Sequence, residues 1–189
     1  TLSVLKAAQD AQVQRVVYSS SSAVYGDQTT LPLTEDMVVH PQSPYGLQKY
    51  IGELYCRLSS KIYKVETISL RYFNVYGPGA STDGAYASVL SKFLDQRLRG
   101  LPLPVTGDGL QTRDFIHVRD VARANILAAY SKQVGKGDVI NIGSGHAVSV
   151  ARIAELVGGS VEYVPQRLEP RDSCAEVSRA KELLGWGPE

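Results

Sequence analysis

Three side chains in this sequence have the types and order needed for proton transfer at an alcohol carbon: Ser21, Tyr45 and Lys49. Tyr45 and Lys49 are four residues apart, so on a helix they share a face and project together. A phenol titrates at about 10 and is a poor base at neutral pH. A cation held beside it favours the phenolate and lowers that value. A hydroxyl such as that of Ser21 then orients a substrate alcohol or carbonyl against the phenol. The set suits proton transfer coupled to hydride transfer at a carbinol carbon. With 11 tyrosines in the chain, the bare Tyr-x-x-x-Lys spacing is a weak signal. On spacing alone, an exposed helix with a solvated lysine explains it equally well. Context decides.

Such a trio needs a strand to present Ser21 and a helix to carry Tyr45 and Lys49. Residues 15–19 read as a short buried strand running into the serines 19–22. Residues 44–60 read as a helix, with Ser43 as its N-cap and Pro44 at its first position. Leu47, Ile51, Leu54 and Leu58 form an apolar stripe on it, opposite the catalytic pair and suited to a core or to a dimer interface. Further strands are expected at 65–71 and 139–142, and helices at 1–12, 85–98, 118–131, 149–157 and 179–184. Short strands alternating with helices mean an α/β protein with a parallel sheet. Gly143-Ser144-Gly145 follows the last of these strands and reads as a turn.

Composition narrows the class. The 189 residues are 43% hydrophobic and 21% charged, with a formal net charge of +1. That balance argues against a nucleic-acid or anionic-membrane partner recognised through bulk charge. No apolar run approaches the roughly 18–20 residues that span a bilayer. Two cysteines, Cys56 and Cys174, lack zinc or CxxC spacing, so a reducing, cytoplasmic home is expected and no metal site. Cys174 reads as a packing residue, and His117 as a structural histidine. The chain opens at Thr1 inside a helical pattern, as a piece of something longer would.

The stretches VVYSSSSAVYG, SPYGLQKY, ISLRYFNVYGPG, GDGLQTRDFIHVRDV and VINIGSG occur in this order. Together they resemble the successive signatures of the extended short-chain dehydrogenase/reductases that act on nucleotide sugars. The resemblance covers nearly the whole chain. It implies the C-terminal part of a doubly wound, Rossmann-type parallel-sheet domain together with a smaller mixed α/β substrate domain. Residues 1–78 and 112–144 would belong to the first, and 79–111 and 145–189 to the second. It further implies NAD as cofactor, Ser21, Tyr45 and Lys49 as catalytic residues, and Lys49 as a holder of the nicotinamide ribose. Ser19, Ser20 and Tyr72 match positions lining the nicotinamide site. The family's glycine-rich dinucleotide turn and its ribose-binding acid are expected upstream of residue 1.

The resemblance also implies a substrate side. Asn74 and Arg113 match residues that contact the substrate diphosphate, and arginine suits that work through its bidentate fork. Phe93 falls where the family places an aromatic or apolar side chain near the uracil, and Ala87 and Val89 where backbone groups meet it. Arg167 and Glu169 stand nearest the family's phosphate-binding arginine and ribose-binding acid, although the usual glycine is missing there. Ser173 matches the position that controls room beside the sugar 2-substituent, and a small residue leaves space for an N-acetyl group.

Members that eliminate water carry an Asp-Glu pair directly after the catalytic hydroxyl, where this chain has Ser22 and Ala23. Without those acids, reversible oxidation remains, and the pattern resembles that of the 4-epimerases. The expected substrate is a UDP-sugar, UDP-glucose or UDP-N-acetylglucosamine, and the expected assembly a homodimer. The competing readings are an NAD(P)-dependent oxidoreductase or dehydratase of the same family, and a non-catalytic dinucleotide-binding scaffold.

Overall fold

The computed structural model describes residues 1–82, 88–166 and 169–189. Its first sheet is parallel, in the order β1 (Arg15–Ser21), β2 (Glu66–Tyr72) and β6 (Lys136–Ile142). Ser19 lies opposite Leu70, and Ser21 opposite Tyr72. β2 is buried through its middle five residues, as a central parallel strand covered on both faces must be. Its alternation decides what covers each face. Ile68 and Leu70 point into a core built with Val121, Ala124 and Ala128 of α4 (Val118–Tyr130) and with Ile140 and Ile142. Thr67 and Arg71 point the other way, onto α2 (Pro44–Tyr63), where Thr67 Oγ1 donates to Cys56 O over 2.8 Å.

That polar strand face determines how α2 lies. It buries Gly46, Gly52, Glu53, Cys56 and Ser59, a small and polar surface. The apolar stripe of Leu47, Ile51, Leu54 and Leu58 remains 41–48% exposed. Of the two roles expected for it, core is therefore excluded within this chain. The short helix α1 (Leu2–Asp10) packs beside α2 and exposes Leu2 and Val4.

Five further strands are short. β3 (Asn74–Tyr76), β5 (Thr112–His117) and β7 (Ala147–Ser149) form a second sheet in the order β3-β5-β7. β4 (Leu103–Thr106) pairs with β8 (Val161–Val164), flanked by α3 (Val89–Leu98) and α5 (Val150–Val157). Phe93, Leu103, Val105, Val150, Ile153 and Ala154 make the core of this part. None of these strands is expected from the sequence pattern. β4 contains Pro104, tolerated because the sheet has only two strands, and β5 carries Arg113 and Asp114 in a run too polar to read as a strand.

Within the tail, 145–189, which the resemblance puts on the substrate side, α6 (Ser178–Leu184) packs against β6 of the first sheet. Gly185, left-handed at φ 64°, ends the helix, and the N–H groups of Gly185 and Trp186 return to Lys181 and Ala180 carbonyls. This turn drives Trp186 into the first core, 1% exposed, with its indole N–H donating to Asp120 O over 3.0 Å. No helix among the described residues is long and apolar enough to cross a membrane.

Candidate active site

β1 and β2 end side by side at Ser21 and Tyr72, and a cavity of about 570 Å³ opens at these carboxyl ends. Ligands of open parallel sheets bind at that edge. Alternation along β1 divides the serines. Ser19 Oγ lies 3.2 Å from Tyr72 Oη, which in turn donates to Asn125 Oδ1 over 2.9 Å. Ser20 turns to the other side, 2% exposed, and donates to Glu53 Oε1. Ser21 accepts from Ala23 N over 3.2 Å, capping a single 3-10 turn, so its own hydrogen is left to donate to a ligand.

α2 starts where the sequence pattern puts it. Ser43 Oγ accepts from Gly46 N over 3.0 Å, and Pro44 opens the helix. Gly46 lets this first turn sit on the chain after Ser21, since a Cβ there would stand 2.5 Å from Ala23 O. Tyr45 and Lys49 then project into the same cavity. Lys49 Nζ donates to Ser19 O over 2.7 Å and lies 5.5 Å from the Tyr45 ring centroid. Burial holds the Lys49 ammonium below its ordinary value. Phenol, ammonium and strand-end hydroxyl thus share one cavity.

Beneath them lies a buried polar layer with no counterpart among the expected site residues. The Arg71 guanidinium forks onto Glu53, Nε to Oε1 at 2.9 Å and the second nitrogen to Oε2 at 2.7 Å, both residues 2–3% exposed. Arg71 also stacks 4.6 Å from the Tyr25 ring centroid, and Tyr25 donates to Asn141 Oδ1. This layer ties the helix carrying Tyr45 to β1, β2 and β6. In sequence, Glu53 four residues after Lys49 looks like an exposed helix ion pair, which hides its real partner.

The opposite wall carries the substrate-side residues. Asn74 Nδ2 donates to Asp114 O over 3.1 Å. Arg113 donates to the carbonyls of Thr112 and Arg171 and pairs with Glu169 Oε2 at 3.2 Å. Two residues expected to meet the ligand therefore meet each other. Val89 opens α3 at the wall, while Phe93 is fully buried, both core and wall. Ser173 is 9% exposed, and its hydroxyl finds no partner among the described residues. Ala87 and Arg167 lie outside the described residues. Lys92 and Thr106 also line the cavity and carry no motif that would announce them. Gln111 lines it too, and although it sits in the GDGLQTRDF stretch the resemblance gives it no role.

Asp114 explains the glycine pair near the end of the chain. Its buried carboxylate accepts from the N–H groups of Ser144, Gly145 and Ala175 and from Ser144 Oγ. Gly143-Ser144-Gly145 is thus wrapped around a carboxylate, with two of its N–H groups engaged there. His117 caps α4, its Nδ1 accepting from Arg119 N, and meets the Tyr76 ring edge-on at 5.2 Å. Burial pushes the Cys174 thiol up, the reverse of what a nucleophile needs.

Residues 1–143 match the model of the NAD dependent epimerase/dehydratase family. The chain belongs to this family. A UDP-glucose 4-epimerase of Mycolicibacterium smegmatis is 35% identical over 197 residues, covering 100% of this chain and 62% of that protein. A UDP-N-acetylglucosamine 4-epimerase from Methanobrevibacter ruminantium, solved with UDP-N-acetylmuramic acid, superposes at a TM-score of 0.93 with 35% identity, covering 100% and 62%. A UDP-glucuronic acid 4-epimerase from Bacillus cereus, solved with UDP-glucuronic acid and NAD, superposes at 0.91 with 31% identity, covering 100% and 60%. The chain spans about three fifths of the length of these epimerase/dehydratase relatives. The donor set at its sheet edge fits the nicotinamide-ribose end of NAD. Lys49 has used one of its three N–H donors on Ser19 O, and the rest remain for a ribose hydroxyl.

Proposed function

We propose that this protein is an NAD-dependent 4-epimerase of UDP-sugars, with Tyr45, Lys49 and Ser21 as its catalytic residues. The carrying observation is the Lys49 ammonium held 5.5 Å from the Tyr45 ring in the cavity that Ser21 lines. NAD, when bound, supplies a hydride acceptor and donor at the sugar C4. Tyr45 takes the proton of the 4-hydroxyl, directly or through Ser21, whose hydroxyl hydrogen orients the sugar oxygen. Asn74 and Arg113 hold the diphosphate while the 4-keto sugar turns about its link to it. Tyr45 then returns the proton to the sugar O4 as the hydride comes back to the opposite face of C4, so that no net oxidation remains.

Two features favour epimerisation over elimination. Ser22 and Ala23 follow Ser21 at the cavity wall, and Glu169 is the sole carboxylate residue lining it among the described residues, engaged with Arg113. Elimination needs a second acid or base beside the catalytic hydroxyl, and the side chains of Ser22 and Ala23 supply none at those positions. Ser173 supports a substrate range that includes UDP-N-acetylglucosamine as well as UDP-glucose, because a buried small side chain leaves room beside the 2-substituent. The outward stripe of α2 supports a homodimer in which this face meets a second copy. Two free cysteines fit a reducing compartment, the cytoplasm.

The test supplies the intact protein with UDP-glucose or UDP-N-acetylglucosamine and catalytic amounts of NAD, and follows both C4 epimers by NMR. Epimers should interconvert without net NADH, and Tyr45→Phe should lower kcat by at least about 10²-fold. Stoichiometric NADH would instead mark an oxidoreductase. Near-normal turnover in Tyr45→Phe sinks the catalytic assignment.

A further inference from the structure

The cavity contains a cation with no role so far. Lys92 stands in the first turns of α3, one residue before Phe93. It lines the cavity together with Ser88 and Val89. Among the described residues three cations line this space, Lys49, Lys92 and Arg113, against one carboxylate, Glu169.

The cations differ in what already holds them. Lys49 is bound to Ser19 O and stands beside the phenol. Arg113 has one terminal nitrogen on two backbone carbonyls and the other on Glu169, with its side chain 12% exposed. Its charge is therefore matched before any ligand arrives. Lys92 has neither a salt-bridge partner nor a hydrogen-bond acceptor for its ammonium among the described residues.

The diphosphate of a nucleotide sugar, esterified at both ends, brings two negative charges into a confined space, where an uncompensated charge is strongly disfavoured. Arg113 neutralised by Glu169 does not answer them alone. An ammonium on a flexible stem is a point-charge partner for phosphate and does not need the planar geometry a guanidinium does. We propose that Lys92 binds the diphosphate of the nucleotide sugar in the cavity that Arg113 and Glu169 also line. The inference rests on the UDP-sugar reading and adds a residue to it. It also divides the labour in the site: Lys49 serves the reacting end, and Lys92 the diphosphate.

The test is titration calorimetry of the intact protein with UDP and with uridine, for wild type, Lys92→Met and Lys92→Arg, together with steady-state kinetics. Loss of one charge-assisted contact should weaken UDP by about ten-fold or more. Uridine should bind equally to all three proteins, and Lys92→Arg should recover most of the UDP affinity. For turnover, KM for UDP-glucose should rise in step with the UDP dissociation constant, and kcat should change far less. Unchanged UDP affinity in Lys92→Met overturns the proposal and makes Lys92 a solvated surface charge. An equal loss for uridine overturns it in favour of packing beside the base. Wild type that fails to bind UDP removes the parent reading and this one with it, whereas an active wild type matched by Lys92→Met removes this one alone.

Discussion

Lys49 concentrates the site's electrostatics in one group. Its ammonium is half-buried, bound to Ser19 O, and held below its ordinary value by the loss of water around it. Two consequences of opposite sign follow. As pH rises through that lowered value, the charge beside Tyr45 disappears and turnover should fall. Over the same span, up to the value of an unfolded lysine, the folded state binds fewer protons than the unfolded one. The Lys49 contribution to stability therefore rises with pH while activity declines. Arginine stays charged beyond about 12. A kcat-pH profile of Lys49→Arg should have its alkaline limb moved upward from that of wild type, whatever its absolute rate. Coincident limbs would assign that titration to another group.

Helix α2 is the element on which the proposed chemistry turns, because it carries both Tyr45 and Lys49. It is seated against β1 and the following turn by glycines at close approach and by the Glu53–Arg71 fork. A Cβ at residue 46 would meet a backbone carbonyl at 2.5 Å, which no side-chain rotation relieves. Gly46→Ala must lift the first turn of α2 away from the chain after Ser21. Misplacement near 1 Å is worth up to about 10²-fold in rate. We expect kcat to fall by about ten-fold or more while far-UV circular dichroism is kept. Unaltered kcat would show that this close seat does not position Tyr45. The apolar stripe on the same helix was legible in the sequence, but its orientation was not. Helical periodicity reveals that a face exists and says nothing of what covers it. The neighbour decides, and here β2 presents Thr67 and Arg71, which select the small polar face for burial.

At the scale of the molecule, that selection leaves Leu47, Ile51, Leu54, Leu58 and Ile62 outward along one helix, with Leu2 and Val4 of α1 exposed as well. Exposed apolar side chains at this spacing support the proposed contact with a second copy. Ile51→Glu should convert a dimer to monomers in sedimentation velocity, leaving the Tyr45 cavity untouched. A dimer that persists in Ile51→Glu would place the subunit contact elsewhere.

The sequence by itself determined what is local or carried by pattern. β1, the capped start of α2 and the shared face of Tyr45 and Lys49 follow from propensity, capping and the helical period, and the family was legible as a resemblance of successive motifs. Short polar strands such as β5 escaped because the pairing that stabilises them is distant in sequence. Only the tertiary structure decided which groups meet across the fold. It set Glu53 on Arg71, Arg113 on Glu169, the Ser20 hydroxyl on Glu53, Lys92 into the cavity, and Trp186 back onto the first sheet. Those pairings depend on packing many elements at once, since a buried charge or apolar ring settles wherever the assembled neighbours satisfy it, and local spacing holds no record of them.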